Sequence, residues 1–149
     1  VSAGTGAGAD DLFNAAIMAA ARRAEDPPID GPDLHVHRDN PFCGDEVTID
    51  IALDDAGKVA RVHARARGCL LVQAATSALA EAAPGHPPET IARAAAQLRA
   101  LLKDGAAPPD GPFAALAMFS PVAPTKSRHS CALLPFEAVA KALPKPDKA

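Results

Sequence analysis

The sequence predicts an α+β domain, a small antiparallel sheet with helices packed on one side, and three observations carry that prediction. From residue 34 to residue 66 there are stretches in which apolar side chains recur at every second position, the period of a half-buried strand. A turn signal, Asp54-Asp55-Ala56-Gly57, lies inside that block and splits its second half into a hairpin. Before and after the block the apolar spacing lengthens to that of helices, so the order is helix, strands, helices; segregated in this way, helices serve as a covering layer and not as crossovers of a parallel sheet.

Asp10 or Asp11 is placed to cap a first helix running through Leu12, Ala16, Ile17 and Ala20 to Arg23, and Pro27-Pro28 bars its continuation. A polar loop with Pro and Gly follows. Leu34 and Val36 alternate with His35 and His37 in a short strand, and Val47, Ile49, Ile51 and Leu53 alternate with Thr48, Asp50 and Ala52 in a longer one. Beyond the turn, Ala60, Val62, Ala64 and Ala66 share one face while Arg61, His63, Arg65 and Arg67 share the other, giving a basic outer face that suits either solvation or docking. Helical spacing then runs from Leu70 to Ala83, stopped by Pro84-Gly85, and again from Pro87 or Pro88 to Lys103, stopped by Gly105. Pro and Gly breaks in residues 104–112 lead to a short apolar segment, Phe113 to Phe119, and a final helical stretch extends from near Lys126 to Leu143, kinked or reopened at Pro135. No internal repeat is visible. Residues 1–9 read as a flexible N-terminus, 10–143 as a single domain and 144–149 as a C-terminal tail.

The 149 residues, 48% hydrophobic and 22% charged, suffice for one domain with its own core. With five Phe and neither Trp nor Tyr, that core rests on Ala, Leu, Val and Ile. A net charge of -3 and no aromatic-studded basic patch argue against a nucleic-acid partner. Apolar runs such as Ala15 to Ala21 fall well short of the roughly 20 residues of a membrane span, so a soluble chain is expected. Residues 1–9 lack the basic start and apolar stretch of a secretory signal, and three cysteines cannot all pair internally; the expected compartment is a reducing cytoplasm, where thiols stay free.

The chemistry concentrates in Asn40-Pro41-Phe42-Cys43-Gly44-Asp45. Gly44 permits a backbone angle at which the Cys43 thiolate and the Asp45 carboxylate aim at one centre. If the hairpin folds the chain back, Cys69 at the start of a helix and Cys131 in the last helical stretch complete three sulfurs and one oxygen, a set suited to tetrahedral zinc or to an iron-sulfur centre. There is no Cys-x-x-Cys pair, however, and the cysteines stand 26 and 62 residues apart. On spacing alone the signal is weak, and small buried hydrophobic cysteines with an ordinary Gly-Asp turn before a strand are the better-supported account. His35, His37, His63 and His86 fall on loops or exposed faces and receive no ligand role.

NPFCGD, RGCLLVQAATSAL and SRHSCALLPFEAV resemble, in order, three motifs of the NifU/IscU-type iron-sulfur cluster assembly scaffold family, over roughly residues 40–143. The resemblance implies a SufE/NifU-like fold and one site made of Cys43, Asp45, Cys69 and Cys131. The long gap between the second and third cysteines, with residues 90–113 as the insertion, is similar to the SufU branch. That similarity implies a zinc ion, Zn(2+), on those four residues and a role receiving persulfide sulfur on Cys43 from a SufS-like cysteine desulfurase, for delivery to downstream cluster-assembly or apo-proteins. Similarity to the IscU branch implies instead iron and a transient 2Fe-2S cluster on the same residues. In either case the chain is a scaffold or sulfur-transfer partner more than an enzyme in its own right.

Gly44 and Arg128 are the expected supporting residues. Arg128, three before Cys131, can share its face and stabilise anionic sulfur, or be a solvated charge. Two features depart from the pattern. Ser130 stands where the IscU branch has His and the SufU branch often Lys, with His129 one place early, where a helix turns it largely away from Cys131, as a surface or supporting residue. The first helix also lacks the His-Tyr and Asn-Pro signature of relatives. Two other classes use the same ligands: a hydrolytic zinc enzyme, which lacks an evident general base, and a purely structural zinc module.

Overall fold

The computed structural model describes residues 14–41 and 44–143, and places three antiparallel strands in one sheet, β1 Leu34–Asn40, β2 Asp45–Leu53 and β3 Val59–Arg67, in the order β1-β2-β3. Val36 lies opposite Ile49, and Asn40 opposite Asp45, so the residues of β1 and β2 that point to the same side meet in register. On β2 the alternation is strict: Asp45, Val47, Ile49 and Ile51 are buried, while Glu46, Thr48, Asp50 and Ala52 are half-exposed. The other face is polar. His35 pairs with Asp50, His37 Nδ1 lies 2.9 Å from Thr48 Oγ1, and His63 Nε2 lies 3.5 Å from Glu25. A sheet with one dry and one wet face has to be covered on one side only.

The face assignment of β3 needs one correction. Val59 and Val62 are buried and Ala60 is exposed, because Leu53 pairs with Val59 while Ala52 pairs with Arg61. Ala60 is the extra residue of a bulge, which reverses the inside-outside parity at the start of the strand. Arg65 and Arg67 are exposed as expected, but His63 is drawn against Glu25.

Helix α1 spans Ala15–Ala21, and its cap is Asn14, whose side-chain oxygen accepts from the Ile17 amide at 2.9 Å. The proposed caps Asp10 and Asp11, the segment 1–9 and the tail 144–149 lie outside the described residues. The helix ends sooner than Arg23, well short of Pro27. Helices α2, Leu70–Ala82, and α3, Glu89–Asp104, match expectation, the latter ending on Gly105 at φ 68°. The apolar segment is longer than predicted and is a 3₁₀ helix, Gly111–Val122. Phe113, Leu116, Phe119 and Val122 are its buried residues, spaced by three; the backbone kinks at Phe113 (φ -104°, ψ 23°), and beyond it three residues per turn bring Leu116, Phe119 and Val122 to one side. A 3₁₀ turn, Lys126–Arg128, leads into α4, His129–Ala142, which continues through Pro135 without reopening.

α4 packs on β1 and β2, α2 packs on β3, and α1 and α3 flank them against α2 and α4 respectively. Phe113 and Phe136 join the 3₁₀ segment to α4 edge to face, at 5.6 Å. Because α2 and α4 both begin near the end of the sheet where β1 passes into β2, this layout brings two helix starts to one corner. Among the described residues, no helix is long and apolar enough to cross a membrane.

Candidate metal centre

Asp45, the first residue of β2, occupies an inward position that alternation would give to an apolar side chain, and only 2% of it is exposed. Its carboxylate meets the start of α2, where Cys69 is the N-cap residue. The Cys69 amide donates to Asp45 Oδ1 at 3.1 Å, and the Cys69 sulfur lies 3.6 Å from Oδ2. Cys131, in the first turn of α4 and 1% exposed, closes the group. One ligand atom from each of the three residues lies within 4.8 Å of the others. Cys43 lies outside the described residues; beside it, Gly44 adopts φ 77° and its amide donates to the Asn40 carbonyl at 2.8 Å, closing the turn.

Gly68 makes this approach sterically feasible. At φ 136°, a Cβ there would stand 2.0 Å from Asp45 Oδ1 and 2.6 Å from its carboxyl carbon, so any side chain would push the carboxylate out of the site. The preceding residue of the Cys69 motif is thus part of the site's construction. Sequence reasoning did not single it out, although a Gly directly before a ligand at a strand-to-helix junction is the signal that could have found it.

The two thiols are held in opposite protonation states. A hydrogen bond from the Cys131 thiol brings Cys69 down from the ordinary 9.0 to about 6, with help from the Val72 and Leu71 amides at the start of α2; burial and the Asp45 charge oppose that shift. Cys131, as donor to Cys69, buried and close to Asp45, is held far above the ordinary thiol range. Without a metal, the shared proton therefore stays on Cys131 and the negative charge on Cys69, and a bound cation would have to displace that proton.

This donor set fits a metal. Two sulfurs favour zinc or iron over magnesium or calcium. Tetrahedral bonds of ~2.0–2.3 Å put neighbouring ligand atoms roughly 3.5 Å apart, and the observed sulfur-to-oxygen separation is 3.6 Å.

The remaining candidates divide. Arg128 precedes α4 and is half-buried, and its side chain makes no hydrogen bond or ion pair among the described residues. His129 is not a surface residue: it is 4% exposed, and its Nε2 lies 2.8 Å from the Ala123 carbonyl, anchoring the approach to α4. Ser130 is exposed, yet its hydroxyl accepts from Asn40 Nδ2 at 2.8 Å. None of the other histidines joins the three clustered ligands.

Residues 23–103, which include Asp45, Gly68 and Cys69, match the family model of the NifU-like N terminal domain; Cys131 lies beyond the matched stretch and is brought in by the fold. The structure is similar to that of a nitrogen-fixing NifU-like protein (N-terminal) from Brucella abortus, with 30% identity, a TM-score of 0.83, and 89% of this chain and 92% of that one covered. It is also similar to a putative iron-sulfur cluster assembly scaffold protein for the SUF system from the thermophile Fervidobacterium islandicum AW-1. There the identity is 22% and the TM-score 0.81, covering 92% of this chain and 100% of that one, a likeness of fold. No curated protein sequence matches. The family model spans more than half of the chain and the Brucella relative is covered nearly end to end, and the chain belongs to the NifU-like N-terminal domain family.

Proposed function

We propose that this chain is an iron-sulfur cluster assembly protein that holds zinc at Cys43, Asp45, Cys69 and Cys131 and accepts sulfur on Cys43 from a cysteine desulfurase in a reducing cytoplasm. The observation that carries the proposal is the convergence of Asp45, Cys69 and Cys131 within 4.8 Å, with Asp45 two residues after Cys43 in the sequence. The long connection between Cys69 and Cys131, which holds α3 and the 3₁₀ segment beyond α2, supports the SufU-like form over the IscU-like one.

Bound zinc keeps its thiolate ligands deprotonated and ordered. The harder carboxylate of Asp45 holds such an ion less firmly than sulfur does, which eases exchange of a ligand. The Cys43 thiolate attacks the outer sulfur of the desulfurase persulfide, the donor's S–S bond breaks, and the desulfurase cysteine leaves as thiolate. Cys43 becomes the persulfide, with no net oxidation. Arg128, if it turns toward Cys131, offers positive charge to that anionic sulfur. A hydrolytic zinc centre is a poorer fit, since among the described residues no histidine or second carboxylate joins the group as general base.

Purification without chelators, followed by zinc and iron analysis and incubation with a cysteine desulfurase and cysteine, tests the proposal. Stoichiometric zinc and a persulfide mapped to Cys43, absent in Cys43→Ser of unchanged fold, are expected. Little zinc and an iron-sulfur absorption band that Asp45→Ala makes longer-lived would give the chain to the 2Fe-2S scaffold reading. Neither metal nor persulfide would overturn both.

A further inference from the structure

We infer that Asn40 and Ser130 form a latch that holds the Asn40–Asp45 corner of the sheet onto the first turn of α4 and so slows the loss of metal from the centre; the inference rests on the metal-binding reading above.

Asn40 and Asp45 are directly opposed, the last residue of β1 and the first of β2. Both point inward and both are buried, with 6% and 2% exposed, although their positions belong to the core face of the sheet. Buried polar side chains persist where hydrogen bonds compensate them, and these two send their bonds in different directions. Asp45 reaches back to Cys69 at the start of α2. Asn40 reaches Ser130, 90 residues on, in the first turn of α4. Ser130 is the immediate neighbour of Cys131, so one corner is tied to both helices that carry sulfur ligands.

The metal needs Asp45, Cys69 and Cys131 in place together, and a ligand set works only when held to within about half an ångström. The bond from Asp45 to Cys69 fixes those two residues to each other. The bond from Asn40 to Ser130 fixes the same corner relative to α4 and hence to Cys131. Serine is apt for this: it is short, and its hydroxyl accepts from the Asn40 amide. A lysine at residue 130 has no acceptor to offer. Asn40 and Ser130 are therefore positioning residues, and residue 130 sets how tightly the centre closes.

The test uses the full chain with Ser130→Ala, Ser130→Thr and Ser130→Lys. Two rates are read: transfer of bound zinc to a chelator, and, in metal-free protein, exchange of the Gly44 amide, which is bonded to the Asn40 carbonyl. The Gly57 amide, in the other hairpin turn, is the internal control. Ser130→Ala should speed both rates about fivefold, the effect of losing one hydrogen bond. Ser130→Thr should restore both rates, Ser130→Lys should not, and Gly57 should be unmoved throughout. Asn40→Ala combined with Ser130→Ala should release zinc no faster than Asn40→Ala alone.

Wild-type zinc release in Ser130→Ala, or additive effects in the double variant, would overturn the latch. Should the parent chain bind no zinc, the metal-binding reading fails separately, and unchanged Gly44 exchange in Ser130→Ala would dismiss the latch as well.

Discussion

The sheet reverses direction twice, and the two turns are built on opposite plans. Between β2 and β3, Asp54 satisfies the turn by itself: its Oδ1 accepts from the Ala56 and Lys58 amides at 2.9 and 3.0 Å, and its carbonyl accepts from Gly57 at 2.9 Å. Every residue from Asp54 to Lys58 is exposed. Between β1 and β2, the flanking side chains turn inward and find partners far along the chain, Asp45 at Cys69 and Asn40 at Ser130. A turn that only reverses the chain can be closed by its own residues. A turn whose flanking carboxylate joins a cluster with side chains on distant helices needs its geometry fixed from outside.

Glycine substitution should expose this difference most sharply. Gly57→Ala imposes left-handed strain at φ 83° in open space, so it should cost only about 1–2 kcal/mol and leave metal binding intact. Gly68→Ala adds the collision with Asp45 to its backbone strain. Strain of ~1–3 kcal/mol and the loss of a charge-assisted hydrogen bond worth ~1.5–3 kcal/mol should lower the melting temperature by roughly 10 °C. Zinc affinity should fall about 10–100-fold, as when a residue that orients a ligand is lost. Equal zinc affinities for the two variants, measured by chelator competition, would mean that Asp45 does not depend on the gap at Gly68.

The second contrast lies inside the centre. Cys69 is depressed to about 6, so in metal-free protein it should stay a thiolate, and react with an alkylating agent, as the pH is lowered until about that value. Below it the sulfur protonates and the rate falls. Cys131 is raised, so its sulfur stays protonated and slow over the same interval. Removing the donor with Cys131→Ala should move the Cys69 midpoint upward, toward the ordinary 9.0. Peptide-mapped alkylation rates against pH measure both, and a Cys69 midpoint near the ordinary value in the parent chain would contradict the shared-proton arrangement.

Much of this was legible in the sequence because it is local. Alternation from Val47 to Ile51 and the breaks at Pro84-Gly85 and Gly105 are decided by neighbours within a few residues, and the elements follow them. Asp45, Cys69 and Cys131 were legible for another reason, the three motifs in order. The bulge at Ala60 was not legible, since the alternation of residues 60–66 looks regular and only the pairing of Leu53 with Val59 reveals the extra residue. The 3₁₀ stripe was missed because its spacing of three, from Phe113 to Val122, also belongs to an α-helix interrupted by Pro. Asn14, which caps α1, also donates its side-chain amide to the Met118 carbonyl, a tertiary contact that no local pattern announces. Gly68, Asn40 and the burial of His129 share that cause: each is fixed by a partner that arrives from elsewhere in the chain.

The smallest expected effect is the one that completes the comparison of the turns. Asp54→Ala removes the acceptor of the Ala56 and Lys58 amides, which then turn to water because the turn is exposed. The expected loss is about 1 kcal/mol, or roughly 3 °C in thermal melting. Zinc release should not change, since nothing in the turn's hydrogen bonding reaches α2 or α4. A faster release in Asp54→Ala would mean that the two ends of β2 communicate along the strand. The corner at Asn40 and Asp45 would then depend on the register of the whole hairpin, not only on its bonds to the two helices.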